Sequence, residues 1–231
     1  MPVPVIPLPG GGVPPFNPLT FDSANLIALY DGDVGITPLP PAFANNWADQ
    51  SANGFDLSLL NGPVIIGNAI NGHNALQFDG VNQSGSNAAL NSVQPNTFYL
   101  VCKTITYVSG IPIFDGAVAG NRNALFHNGV SPDTEQYAGV FAGTLITPVL
   151  NTYDIITAIY NGANSELRLN NAPALITNPG IENLNGLRIA ANVNLANFSN
   201  VEFAYIILRS AADSTATQNL FINYLKNRFA L

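Results

Sequence analysis

The sequence predicts an all-β sandwich closed by one C-terminal α-helix, and three observations lead there. Asn-Gly occurs at Asn53, Asn61, Asn71, Asn128, Asn161 and Asn185, and Asp-Gly at Asp31, Asp79 and Asp115. These dipeptides tolerate positive φ and are the strongest local turn signals. Between them lie short β-type runs at fairly regular spacing, with helical periodicity absent. Only beyond residue 210 does a helical stripe emerge. The 231 residues suit one large domain, since all-β sandwiches of this size occur as single units. No internal repeat interrupts the body.

Residues 1–19 carry Pro2, Pro4, Pro7, Pro9, Pro14, Pro15 and Pro18, with Gly10, Gly11 and Gly12 as a soft joint. Proline at this density imposes an extended, PPII-like path and forbids a helix. Val3, Val5, Ile6 and Leu8 are not the composition of a solvated tail. This arm is therefore expected to dock on a neighbouring subunit, with those four side chains as its assembly contacts. Residues 20–231 form the folded domain.

Strands are predicted over 26–30, 75–78, 97–104, 111–114, 124–127, 155–160, 166–169, 187–190 and 201–208. The clearest hairpin joins 155–160 to 166–169 through a turn at 161–165. Glu166 and Arg168 alternate with Leu167 and Leu169, so one face of that second strand is expected to be wet. The 201–208 run is apolar on nearly both faces except for Glu202, the pattern of a central strand covered on each side. Phe98, Leu100 and Cys102 share one face by alternation. Cys102 is the sole cysteine, which excludes an internal disulfide and predicts a buried, inert thiol.

A helix is predicted over about 215–229. Thr215 and Gln218 have capping-box spacing, with Asp213 and Ser214 as alternative caps. Leu220, Phe221, Tyr224, Leu225 and Phe229 form the apolar stripe, and Lys226 and Arg228 sit where the helix dipole favours cations. The helix is expected to pack on the body and close the fold.

Charge is scarce. Asp, Glu, Lys and Arg make up 9% of the chain, against about 25% in a typical domain. Asn, Ser, Thr and Gln must supply most of the wetted surface, which suits lasting contact with neighbours or with neutral sugars. A net charge of −7 with seven scattered basic residues excludes nucleic acid, which needs clustered cations. His73 and His127 are too isolated for a zinc site. No run is long and apolar enough to span a bilayer. The proline-broken N-terminus lacks a basic segment, so no secretory signal is expected.

Four stretches carry a family resemblance. Leu26-Ile27-Ala28-Leu29-Tyr30-Asp31 is similar to an opening strand in which an aromatic precedes an acidic residue. Trp47 to Gly54, reading WADQSANG, resembles a Trp-x-Asp-x-Ser-Gly-Asn-Gly segment, with Ala52 departing from the usual glycine. Leu76 to Gly80 resembles a Leu-x-Phe-Asp-Gly strand end. The 201–208 strand with the terminal helix, ending on Tyr224-Leu225, resembles a closing pair. Together they resemble the concanavalin A-like, laminin-G-like jelly-roll domains, above all those of bacteriophage structural proteins, over about residues 24–229.

That resemblance implies an architecture which hosts lectins, glycosidases and structural modules alike. It implies calcium as a conceivable ion in related lectin-like domains, bound by loop oxygens. Asp31, Asp33 and Asp115 are the candidate contacts for such an ion or a glycan, although turn formation accounts for them more simply. Trp47 is expected to pack rather than to stack on a sugar. No Glu-x-Asp-x-Glu strand, supported Ser-His-Asp set or phosphate loop is present, and Asp133-Thr134-Glu135 reads as a loop. The expectation is therefore a non-enzymatic virion structural protein on a capsid or tail. It would be present in many copies, contacting other virion proteins through its arm and host glycans through its body. A free carbohydrate-binding protein is the alternative, and a polysaccharide hydrolase acting through Asp133 or Glu135 the second.

Overall fold

The computed structural model describes residues 16–39 and 43–231. The predicted arm contacts Val3, Val5, Ile6 and Leu8 lie outside the described residues. After a 3-10 turn at Ser23–Asn25 the strands run β1 (Leu26–Asp31), β2 (Ile36–Leu39), β3 (Phe43–Trp47), β4 (Leu57–Leu60), β5 (Val64–Ile70), β6 (His73–Asp79), β7 (Ser84–Ser92) and β8 (Asn96–Thr106). They continue as β9 (Pro112–Asp115), β10 (Ala124–His127), β11 (Thr134–Tyr137), β12 (Asp154–Tyr160), β13 (Ser165–Leu169), β14 (Leu175–Thr177), β15 (Leu184–Ile189) and β16 (Asn200–Arg209), before α1 (Thr215–Phe229).

Every pairing of named strands is antiparallel, along the path β11-β10-β9-β15-β7-β4-β3-β5-β6-β16-β8-β12-β13-β14, with β1 added to β16 and β2 to β3. The path curls until its two halves share one core. Phe98 of β8 stacks on Phe114 of β9 with ring centroids 4.3 Å apart, and Tyr160 of β12 meets both rings edge-on. The ends of the path are brought together by side chains. Gln136 of β11 donates to the Ile159 carbonyl at 2.9 Å and accepts from Thr177 at 2.5 Å, so the sheet is nearly closed. Burying these amides is tolerable because each finds a partner.

All nine predicted strands are present. The hairpin forms with Ile156 opposite Leu169 and Ile159 opposite Glu166. Strand β16 is buried on both faces, and a bulge between Phe203 and Tyr205 shifts its alternation. Val201, Phe203, Ile206 and Leu208 enter the inner core, whereas Ala204, Tyr205 and Ile207 meet the helix side. Cys102 is buried, on the same face as Phe98 and Leu100.

Of the caps the sequence offers, Ser214 is the one used, accepting from the Thr217 amide at 3.2 Å. Two details differ from expectation. Ile222 replaces Leu220 in the buried stripe, because Phe221 stacks on Tyr99 and rotates Leu220 outward. The supposedly wet face of β13 lies under α1. Arg168 donates to Asn219 at 2.9 Å, and Gln218 donates to Glu166 at 2.7 Å. Helix amides thus satisfy charges that the alternation assigns to water.

Candidate functional site

The Trp47–Phe55 segment builds one wall of a cleft by running beside β1. The chain leaves β3 at Trp47 and bends at residues 50–53, setting the side chains at 47, 49, 51 and 53 against β1 as a ladder. The Trp47 indole donates to the Asp31 carbonyl at 2.9 Å, and Asp49 accepts the Leu29 amide at 2.9 Å. The Ser51 hydroxyl donates to Asp49 at 2.7 Å and sits 3.0 Å from the Ile27 carbonyl, and the Asn53 amide donates to the carbonyls of Leu26 and Ile27 at 2.9 Å. Side chains thus satisfy the backbone groups of β1 on the edge that β16 leaves open. Trp47 is fully buried against Tyr30, so packing is its role.

Beyond this wall opens a cleft of about 780 Å³, floored by the adjoining ends of β7 and β15. No Asp, Glu, Lys or Arg lines it. Phe55, half-buried, and Val93, exposed, add apolar surface to the lining. Three amides are held in place by backbone contacts. Asn53 is tied to β1, Asn91 accepts the Gly186 amide at 3.1 Å, and Asn183 accepts the Gln94 amide at 2.8 Å. The side-chain amides of Asn121 and Asn185 also line the cleft and have no hydrogen bond to any described residue. Each free amide offers two N–H donors and an acceptor oxygen. Apolar surface with a few placed amides is the chemistry that takes an uncharged, hydroxyl-rich ligand.

The sequence-derived candidates lie elsewhere, and their carboxylates are engaged within the protein. Arg228 of α1 reaches Asp31 at 2.8 Å and Asp33 at 2.9 Å. His73 meets Asp33 at 2.6 Å, and the Asn74 amide donates to Asp33 at 2.8 Å. Burial pushes the Asp31 carboxyl above its ordinary value. Burial works the same way on Asp33, but the Asn74 and His73 contacts outweigh it and the net direction is down. Asp115 sits on β9, completely buried, bonded to the amides of Gly116 at 2.8 Å and Val193 at 3.0 Å and to Arg122 at 3.3 Å. In this structure the three aspartates knit the β1–α1 and β9–β15 regions together. Among the described residues no group of three or more His, Cys, Asp or Glu is arranged to hold a metal ion.

Glu135 is also relocated. It belongs to β11 rather than a loop, is buried, and accepts from the Gly143 amide at 2.8 Å and from Asn128. Asp133 accepts from Thr147 at 2.6 Å. Of the cleft residues, Asn53 and Phe55 fall in or beside the Trp47 motif and were within reach of the sequence. Asn185 is legible only as the head of an Asn-Gly turn, and Asn91, Asn121 and Asn183 carry no local signal: the pairing of β7 with β15 sets Asn91 opposite Asn185, and Asn121 arrives on the connection between β9 and β10.

No family model and no curated protein sequence matches this chain. Solved structures share its fold at low identity. Domain 4 of AbnA, a GH43 extracellular arabinanase from Geobacillus stearothermophilus in complex with arabinotriose, superposes with a TM-score of 0.63 at 13% identity, covering 85% of this chain and 98% of that one. Trypanosoma rangeli sialidase in complex with sialic acid gives 0.62 at 11%, over 97% of this chain but only 35% of the sialidase. An arabinofuranosidase complexed with arabinofuranosyl-alpha-1,2-xylobiose gives 0.63 at 15%, over 86% of this chain and 58% of that one.

All three are titled as proteins or domains of proteins that act on carbohydrates. The expectation of a non-enzyme is corrected by this finding. Glycosidases carry the fold, so the missing Glu-x-Asp-x-Glu rhythm cannot support a negative assignment. At these identities the likeness establishes the fold alone.

Proposed function

We propose that this chain is a lectin-like jelly-roll module whose uncharged cleft holds a neutral glycan. The observation that carries the reading is the pair of free amides, Asn121 and Asn185, lining with Phe55 a cleft without a charged side chain. A sugar presents hydroxyls to amides and C–H faces to an aromatic ring, and neither contact needs a formal charge. Arabinotriose is the first probe to try, because the similar arabinanase domain was solved in complex with it. Titration of the full chain with arabinotriose and a panel of neutral oligosaccharides is expected to give binding in at least one case. The double variant N121A/N185A should weaken it about tenfold, from two lost hydrogen bonds of roughly 0.7 kcal/mol each. A panel without a binder, or a double variant that binds like the parent, would overturn the reading.

The setting belongs to the same proposal. The four sequence stretches and the apolar composition of residues 1–19 support a bacteriophage virion, with the module in many copies and its arm on a neighbouring virion protein. Purified particles should then contain the chain by mass spectrometry, and deletion of residues 1–19 should abolish incorporation. Normal incorporation of the truncated chain would remove the role given to Val3, Val5, Ile6 and Leu8.

A further inference from the structure

Arg188 is the one arginine among the described residues whose side chain has neither an ion-pair partner nor a hydrogen bond. The other four each have a side-chain acceptor: Arg122 has Asp115, Arg168 has Asn219, Arg209 has Asp213 and Arg228 has Asp31. The Nε atoms of Arg168, Arg188 and Arg228 are all sealed from solvent without an acceptor, but only Arg188 also has no partner for its terminal nitrogens among the described residues. A half-buried cation in this state is costly unless something supplies the missing oxygen atoms.

The sheet register places hydroxyls beside it. Arg188 of β15 stands opposite Ser86 of β7, and Ser86 stands opposite Ser58 of β4. Directly opposed residues of antiparallel strands share a face, so these three form a row across the sheet. Ser84, two residues from Ser86, points the same way. The hydroxyls of Ser58, Ser84 and Ser86 make no hydrogen bond with a described residue, and they line a groove of about 250 Å³ together with Arg188, Leu60 and Leu195. On the far side of Arg188 the register partner is Asp115. Its oxygens are taken by Arg122 and by the amides of Gly116 and Val193, so it offers a field but no contact. Burial lowers the Arg188 pKa, and the charge of Asp115 opposes that shift without cancelling it.

We propose that this groove is a second ligand site, one that takes the oxyanion of a carboxylated or sulfated sugar. The Arg188 guanidinium would hold the oxyanion through paired N–H donors, the geometry in which arginine excels. The Ser58 and Ser86 hydroxyls meet the neighbouring sugar hydroxyls, while Ser84 lies buried beneath them. The site is separate from the amide-lined cleft. Ser86 and Asn91 lie five residues apart on β7, about 16 Å along the strand. Neither site needs the other to be occupied.

The test is calorimetric titration of the full chain, at low salt, with a glucuronate-bearing disaccharide, its sulfate-ester counterpart, the unsubstituted parent disaccharide and inorganic sulfate. One or both acidic sugars should bind at least tenfold more tightly than the parent, and which of them does so identifies the oxyanion. R188Q should abolish that preference while leaving neutral-sugar binding unchanged, and R188K should retain part of it. S86E sets a carboxylate opposite Arg188 and should melt at a higher temperature while losing the acidic sugar, which keeps the test decisive if R188Q fails to fold. Three results would overturn the proposal: no preference over the parent, unchanged binding by either R188Q or S86E, or inorganic sulfate binding as tightly as the sugars, meaning an adventitious ion only.

Discussion

Ala52 has φ of 71°, in the left-handed region where a Cβ meets the following carbonyl. An L-residue there costs about 1 kcal/mol more than glycine. A52G is therefore expected to raise stability by about 1 kcal/mol, read from the denaturation midpoint at constant slope, with no gain counting against the strain. His127 carries a second prediction. It is buried beside Tyr107 at 5.2 Å between ring centroids, with Thr134 Oγ1 3.4 Å from its Nδ1 and no partner for its Nε2. Burial holds its pKa down from 6.5 to about 4. Between those values the unfolded chain binds a proton that the folded one refuses, so stability falls as pH drops below about 6.5. The loss reaches roughly 3 kcal/mol near pH 4. H127Q should remove that slope relative to the parent, and parallel pH profiles would refute the assignment. Cys102 and Trp47 were legible at this scale because an apolar alternation and a lone indole each have one economical placement.

At the scale of elements, the Trp47 ladder is the feature with the sharpest cost. Asp49 accepts the amides of Leu29, Ser51 and Phe55 and the Ser51 hydroxyl. Truncating it strands several donors at once, at about 1–3 kcal/mol for a buried unsatisfied group. D49A should thus lose about 3 kcal/mol, whereas S51A should lose about 1 kcal/mol; equal, small losses would show that β1 does not depend on the ladder. The strands legible in the sequence were those with apolar runs, such as β8, β12 and β16. Strand β7 reads SGSNAALNS and was missed, because it is a strand only by pairing with β4 and β15. Strand β5 hid behind Gly67 and Asn68, and β11 behind its polar TEQY. The wet face assigned to β13 failed for a related reason: alternation records which residues are polar, but not whether a helix amide or a water will meet them.

Across the whole molecule, scarcity of charge organises the surface. The ion pairs are spent on joining elements: Arg209 ties Asp22 to Asp213, Lys103 meets Glu202, and Arg228 clasps Asp31 and Asp33. That leaves a cleft without fields and one groove with an idle cation. The two should respond differently to salt, since screening at 0.5 M confines charge effects to about 4 Å. Neutral-glycan affinity is expected to change less than about twofold between 0.05 and 0.5 M NaCl, while acidic-sugar affinity at Arg188 falls several-fold. A steep salt dependence at the cleft would point to a charge contact there. The low-charge surface and the sandwich-like strand count were readable from composition and turns. The cleft was not, because its asparagines come from four separate segments. The Trp47 ladder has one more effect at this scale. It denies a passing strand a free backbone rail along β1, so that border of the sheet cannot be lengthened by strand addition unless the ladder is first dismantled.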